Sequence, residues 1–206
     1  MRTSARALSA LLLASATALA LSACGGPAYV RGSEHPELDK AVMSTGLDKL
    51  DLEQLFKDNS KSLLNSAAMT RWKDAAKDGK EPTVAIFQVK NDTSEHIDDQ
   101  LNALLADFET ELVNSGNVTV ISHERQAQLV DELKLQQSAV FEADKAAQLG
   151  RQLGAQYFVT GKMSTSDEKT DGERRVQYML YMQVIEVETG AIRWQNKATL
   201  TKGLIK

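Results

Sequence analysis

Apolar residues set a helical rhythm from Leu38 onward. Leu47, Leu50, Leu52, Leu55 and Phe56, then Leu63, Leu64 and Ala67, recur at intervals of three and four, the spacing of one helix face. Met69 and Trp72 carry the same face forward, with Asp51 as the candidate N-cap and Gly79 and Pro82 as the stop. The period then changes. Residues 83–89 (TVAIFQV) form a nearly unbroken β-branched apolar run, which suits a buried central strand. Residues 90–96 are polar and predict a loop. Ile97, Leu101, Leu104, Leu105, Phe108, Leu112 and Val113 predict a second helix, ended by residues 114–117. Residues 118–121 read as the next strand. A helical crossover joins it to the first, so the two should run parallel.

Ser122 is the candidate cap of a further helix carried by Ala127, Leu129, Val130, Leu133 and Leu135, and residues 144–153 predict a short helix that stops at Gly154. Residues 156–163 then read as a strand, and residues 164–174 as a densely charged turn. Residues 176–187 alternate as a long strand. Glu188, Thr189 and Gly190 make a tight turn, and residues 191–200 return as a hairpin partner. Tyr178 and Tyr181 differ in parity, so they face opposite sides of the sheet. The order of elements predicts an α/β fold, a single domain over residues 38–206 with a mixed β-sheet flanked by helices.

The N-terminus changes the picture. Arg2 and Arg6 precede an uncharged, alanine- and leucine-rich stretch over residues 7–20, followed by Ser22 and Ala23, the three-part layout of a secretory signal. Leu21-Ser22-Ala23-Cys24 resembles the bacterial lipobox, which implies cleavage after residue 23 and lipidation of Cys24. Acylation with more than one chain gives stable anchoring. Gly25 in place of an aspartate implies, by the same resemblance, the outer membrane. Residues 24–37 hold two of the three prolines and three glycines and read as a flexible tether, roughly 45 Å when fully extended.

Cys24 is the single cysteine, and once acylated it leaves no thiol for a disulfide or a metal. The formal net charge of −4 becomes more negative when the signal takes two arginines with it, and no basic stripe suggests nucleic acid. His35, His96 and His123 have no partner at ligand spacing, and His123-Glu124 lacks the second histidine of a zincin motif. No nucleophile elbow, phosphate loop or dinucleotide fingerprint is present. The sequence therefore predicts no catalytic residue, metal or cofactor.

The C-terminal third carries a family resemblance. Gly154-Ala155-Gln156-Tyr157-Phe158-Val159-Thr160-Gly161 resembles the strand start of the LpoB family. Residues 182–194 (MQVIEVETGAIRW) resemble its closing hairpin, with the Thr-Gly turn and a tryptophan four residues on. Val89-Lys90-Asn91-Asp92-Thr93 resembles its loop after the first strand. The resemblance spans about residues 45–200. It implies a non-enzymatic, monomeric outer-membrane lipoprotein that activates a bifunctional (class A) penicillin-binding protein. The same fold group includes the CsgG secretion lipoproteins and the N-terminal domain of TolB, so a CsgG-like secretion or assembly role is the alternative. Residues 164–175 lack the alternating apolar band of a membrane hairpin, which disfavours a pore. The candidate partner contacts are Lys90, Asn91, Asp92 and Thr93 in the loop and Arg174 and Arg175 at the charged turn. Solvated loops are the plain alternative for both segments. The family's long Pro-rich tether is replaced by a short one. Either the stretch from Leu38 to Leu50 extends it, or the target reaches toward the outer membrane.

Replacing Cys24 with Ala should move the protein from the membrane fraction to the soluble periplasm. Fractionation and immunoblotting read the outcome, and a variant that stays with the membrane would overturn the anchor.

Overall fold

The computed structural model describes residues 44–121, 151, 153–169 and 173–205, together with Pro36 and Lys40. The chain divides into two units, Met1–Lys40 and Ala41–Lys206, and every element below lies in the second. Cys24, the tether apart from Pro36, and the helices expected over residues 122–135 and 144–153 apart from the helical Arg151 and Leu153 lie outside the described residues.

Helix α1, Lys49–Leu64, starts one turn earlier than Asp51 suggested. Asp48 is its N-cap: its carboxylate accepts the Asp51 N–H at 3.0 Å, and the Asp51 carboxylate accepts the Asp48 N–H at 2.9 Å. Asp51 therefore occupies N3 of a reciprocal capping box. Leu52, Leu55, Phe56 and Leu63 are buried at the helical spacing. The long helix expected through Trp72 is in fact two. Ser66 turns extended and its hydroxyl accepts the Met69 N–H at 3.1 Å, which starts α2, Ala67–Lys77. A side-chain cap in mid-stretch outcompetes the continuing apolar face. Gly79, at φ 69°, then releases the chain into the sheet.

Strand β1 runs Thr83–Asp92, three residues past the expected end. Lys90, Asn91 and Asp92 are strand residues because they pair with Lys162, Met163 and Ser164. Tertiary pairing overrides their polar composition. Helix α3, Asp98–Asn114, buries Leu101, Leu105, Phe108 and Leu112. Val113, expected on that face, is exposed, since it stands one residue and some 100° from Leu112. Strand β2 is only Thr119–Val120 and pairs parallel to β1, as the crossover required.

Strands β3 (Tyr157–Lys169), β4 (Glu173–Glu186) and β5 (Ile192–Ile205) form an antiparallel meander. The charged turn expected over residues 164–174 is mostly strand: Ser164 to Lys169 pair with Met179 to Arg174. The five strands lie in the order β2-β1-β3-β4-β5, with β1 parallel to both neighbours, a mixed sheet in a single α/β domain as predicted.

The three described helices cover one sheet face. There Val84, Ile86, Val159, Met163, Leu180 and Val184 meet Leu55, Phe56, Trp72, Leu101 and Phe108. Asn59 is buried in this layer and satisfied: its Nδ2 donates to the Leu55 and Leu180 carbonyls at 3.0 and 3.2 Å, and its Oδ1 accepts from Asn196 Nδ2 at 3.1 Å. On the opposite face a smaller apolar cluster of described residues gathers around Phe87, Phe158, Ile185 and Val187 at one end of the sheet. Phe87 and Phe158 meet edge-on at 5.0 Å.

Gly161 of β3 lies between β1 and β4 with little room beside it. A Cβ there would lie 2.8 Å from the Tyr181 carbonyl oxygen and 3.2 Å from both Val89 and Met182. Gly161→Ala should cost about 2 kcal/mol by overpacking and lower Tm by about 6 °C. Thermal unfolding of the purified protein measures this, and an unchanged Tm would contradict the close approach.

Candidate functional site

Asn91 and Thr93 fold the segment between β1 and α3 onto itself. Asn91 Oδ1 accepts from the Thr93 N–H at 3.0 Å and from Thr93 Oγ1 at 2.7 Å. Thr93 Oγ1 accepts the Glu95 N–H at 3.1 Å, and Asn91 Nδ2 donates to the Glu95 carbonyl at 2.9 Å. These side chains act as turn formers, satisfying local backbone groups. Their effect is to aim Glu95 at the sheet. Glu95 Oε1 receives the Tyr178 hydroxyl at 3.0 Å, and that same hydroxyl lies 2.9 Å from the Thr45 carbonyl oxygen. One phenolic proton thus faces two acceptors. Burial first, and the Glu95 contact second, push the Tyr178 phenol up to about 12.

Arg174 closes the same cluster from the β4 side. It grips Asp167 through Nε at 3.2 Å and an η nitrogen at 2.7 Å, and reaches Thr45 Oγ1 at 3.3 Å. Its hydrogen bond holds the Asp167 carboxyl below the usual carboxylate range. Lys202 of β5 completes the end of the sheet, donating to the Gly46 carbonyl at 2.9 Å and to Asp51 and Asp48 at 2.6 and 3.2 Å. Burial pulls this ammonium down, but the two carboxylates outweigh it and the net shift is upward. The chain over residues 44–48 is therefore fastened where the Asn91 turn meets the β3–β4 hairpin.

The remaining candidates face the other way. Directly paired residues share a sheet face, so Lys90, Asp92 and Arg175 lie on the side away from the helices, with Lys162, Glu168, Tyr181 and Lys197. Lys90 Nζ bonds Asp92 at 2.9 Å, and Arg175 pairs with Glu168. Beyond the Phe87–Phe158 cluster, most of the described residues on this face are polar: Ser164, Ser166, Gln177, Gln183, Gln195, Thr199 and Thr201 are all at least partly exposed, with Met179 and Tyr181 among them. Tyr178 and Tyr181 point to opposite sides, as their parity required. The six candidates thus split between two surfaces. Asn91, Thr93 and Arg174 converge on the Glu95–Tyr178 cluster, and Lys90, Asp92 and Arg175 belong to the open face.

Glu95, Lys162, Lys197 and Lys202 escaped the sequence reading. Only the cross-strand register brings them beside the residues that it singled out. Among the described residues no group of three or more His, Cys, Asp or Glu is placed to hold a metal ion, and no described helix is long and apolar enough to cross a membrane.

These features define an α/β scaffold that presents a polar sheet face beside a fastened N-terminal segment. The family model of the peptidoglycan-synthase activator LpoB matches residues 51–200, from the first turn of α1 into β5. The chain belongs to the LpoB family, whose members activate peptidoglycan synthases and are regulators rather than enzymes. No curated protein matches it. Among solved structures it is similar to the LpoB C-terminal domain from Salmonella enterica, at 20% identity and a TM-score of 0.44, over 72% of this chain and 94% of that one. It is similar to the LpoB C-terminal domain from Escherichia coli at 22% identity and a TM-score of 0.44, over 58% and 82%. It also resembles the lipoprotein GNA1162 from Neisseria meningitidis at 11% identity and a TM-score of 0.46, over 59% and 83%.

Tyr178→Phe keeps the buried ring and strands Glu95 and the Thr45 carbonyl. It should cost about 1–2 kcal/mol at pH 7. The folded tyrosine keeps its proton to about 12, against an ordinary value of 10.0. Its stabilisation is therefore complete below pH 10 and is lost as pH rises toward 12. Lys202, also raised, adds a loss of the same sign at the alkaline end. Urea unfolding at pH 7, 10 and 11 should show wild type weakening above pH 10 and the phenylalanine variant weakening less.

Proposed function

We propose that this chain is a periplasm-facing lipoprotein of the outer membrane, anchored through Cys24, that binds a class A penicillin-binding protein and raises its peptidoglycan synthesis. The observation that carries this reading is the continuous match to the activator family across residues 51–200, which takes in α1, the whole crossover and most of the meander. The lipobox-like Leu21-Ser22-Ala23-Cys24 supplies the anchor. The mechanism is a population shift: the domain binds the active conformation of the synthase more tightly than the resting one, and its differential affinity sets the size of the stimulation. Lys90, Asp92 and Arg175 are the contacts the open face offers. Asn91, Thr93 and Arg174 act behind it by fixing the turn and the hairpin. One monomer per synthase suffices.

Adding the purified lipoprotein in detergent micelles to a class A synthase should raise glycan polymerisation several-fold, saturably and at a stoichiometry near one to one. Failure to bind together with failure to stimulate would overturn the assignment.

A further inference from the structure

We infer that the open face of the sheet docks an acidic segment of the protein partner across the row Lys162–Tyr181–Lys197. The inference rests on the activator reading above and names the chemistry its surface would meet. Cross-strand register sets Lys90, Lys162, Tyr181 and Lys197 side by side on β1, β3, β4 and β5. With neighbouring strands about 4.8 Å apart, the row is roughly 14 Å long. Asp92 engages Lys90 at 2.9 Å and stands 3.9 Å from Lys162. The Lys162 side chain is 44% exposed. Lys197 is exposed, and its ammonium lies 5.9 Å from the centre of the Tyr181 ring. One ammonium thus lies over a half-buried aromatic ring, and Lys162, its neighbour on β3, lines with it a shallow depression of about 200 Å³ that also takes in Gln183 and Gln195.

The formal net charge of the chain is −4, whereas the described charged residues of this face are four cations, Lys90, Lys162, Arg175 and Lys197, against three acids, Asp92, Glu168 and Glu173. Such a local reversal of sign steers a partner of negative charge and fixes its register. A nucleic acid or an anionic bilayer fits it poorly. The first asks for on the order of 6–10 phosphate contacts, and the second for a run of four to eight cations beside the membrane. Asp92, Glu168 and Glu173 would repel both. An extended polypeptide fits better. Its carboxylates can reach Lys162 and Lys197, an apolar side chain can cover Tyr181 as the dry centre, and Gln183, Gln195 and Thr199 supply a hydrogen-bonding rim.

The test uses the full-length mature lipoprotein in detergent and a purified class A synthase. Carbodiimide, which couples an amine to a carboxylate only in direct contact, should join Lys162 or Lys197 to Asp or Glu residues of the synthase, as read by mass spectrometry. Binding should weaken at least tenfold between 50 and 300 mM salt. The double variant Lys162→Glu/Lys197→Glu should weaken it at least tenfold at low salt, and Lys57→Glu/Lys73→Glu, on exposed sites of the helix layer, should leave it within twofold. Both pairs are surface changes, and circular dichroism with thermal unfolding checks that each variant folds. A wild type that neither binds nor stimulates removes the activator reading and this inference together. A wild type that stimulates while the Lys162→Glu/Lys197→Glu variant binds equally well overturns the inference alone. So does coupling confined to other lysines, or a row that binds purified peptidoglycan and not the synthase.

Discussion

Strand β4 is paired along its length on both sides, and a strand offers each residue only one of two faces. Val176, Tyr178, Leu180, Met182 and Val184 take the helix side and are buried. Gln177, Met179, Tyr181 and Gln183 take the other and stay partly open to solvent. The core face and the solvent-facing side are therefore two readings of the same run of residues. A slip of one position would place glutamines under the helices and leucine and methionine in water, so the register is held by burial along the whole strand. Gly161 tightens it further, because only a residue without a side chain lets β1 and β4 close on β3 at that point.

The helix layer and the sheet are joined by polar contacts as well as by apolar packing. Asn59 bridges α1 to β4 and β5. Trp194 donates to Ser62 at 3.2 Å. Lys202 binds the two carboxylates that cap α1. Buried polar contacts of this kind add little net stability compared with apolar packing of the same volume, and losing one partner is costly. They select one arrangement of α1 on the meander. In that arrangement the chain at residues 44–48 lies against Tyr178, Arg174 and Lys202, with the Asn91 turn directly behind it.

Much of this was legible in the sequence. The change from a three-and-four period to a β-branched run at Thr83 located the first strand, the crossover at residues 97–117 required parallel pairing, and the parity of Tyr178 and Tyr181 assigned their faces. The boundaries were not legible, each for a local reason. Ser66 ends one helix and caps the next although the apolar face continues. Asp51 looks like an N-cap because Asp48 and Asp51 share a reciprocal box. Lys90–Asp92 and Ser164–Lys169 look like loops because their composition is polar, and pairing makes them strand. The face away from the helices suffered most. Lys162 and Lys197 stand 35 residues apart in the sequence, and only the registers of two strand pairs put them on either side of one ring. Asn91 and Thr93 did stand out, but as residue types that make turns, and the structure uses them for that.

The proposed combination of a lipid anchor and a weakly charged face has a physical logic. A few exposed ammonium groups around one aromatic ring contribute modest affinity between freely diffusing proteins, since exposed ion pairs are worth about 0–1 kcal/mol each. A lipid anchor at Cys24 with a tether of roughly 45 Å would confine the domain to a thin shell beside the membrane. A partner held in the same shell would then meet it at an effective concentration on the order of millimolar. At that concentration a contact too weak to survive dilution is occupied most of the time, and it still releases quickly. An acidic docking segment suits such a regime: charge speeds the encounter, and the small dry centre at Tyr181 sets the register without locking the complex. A short tether and a modest contact surface would in this sense be matched to each other.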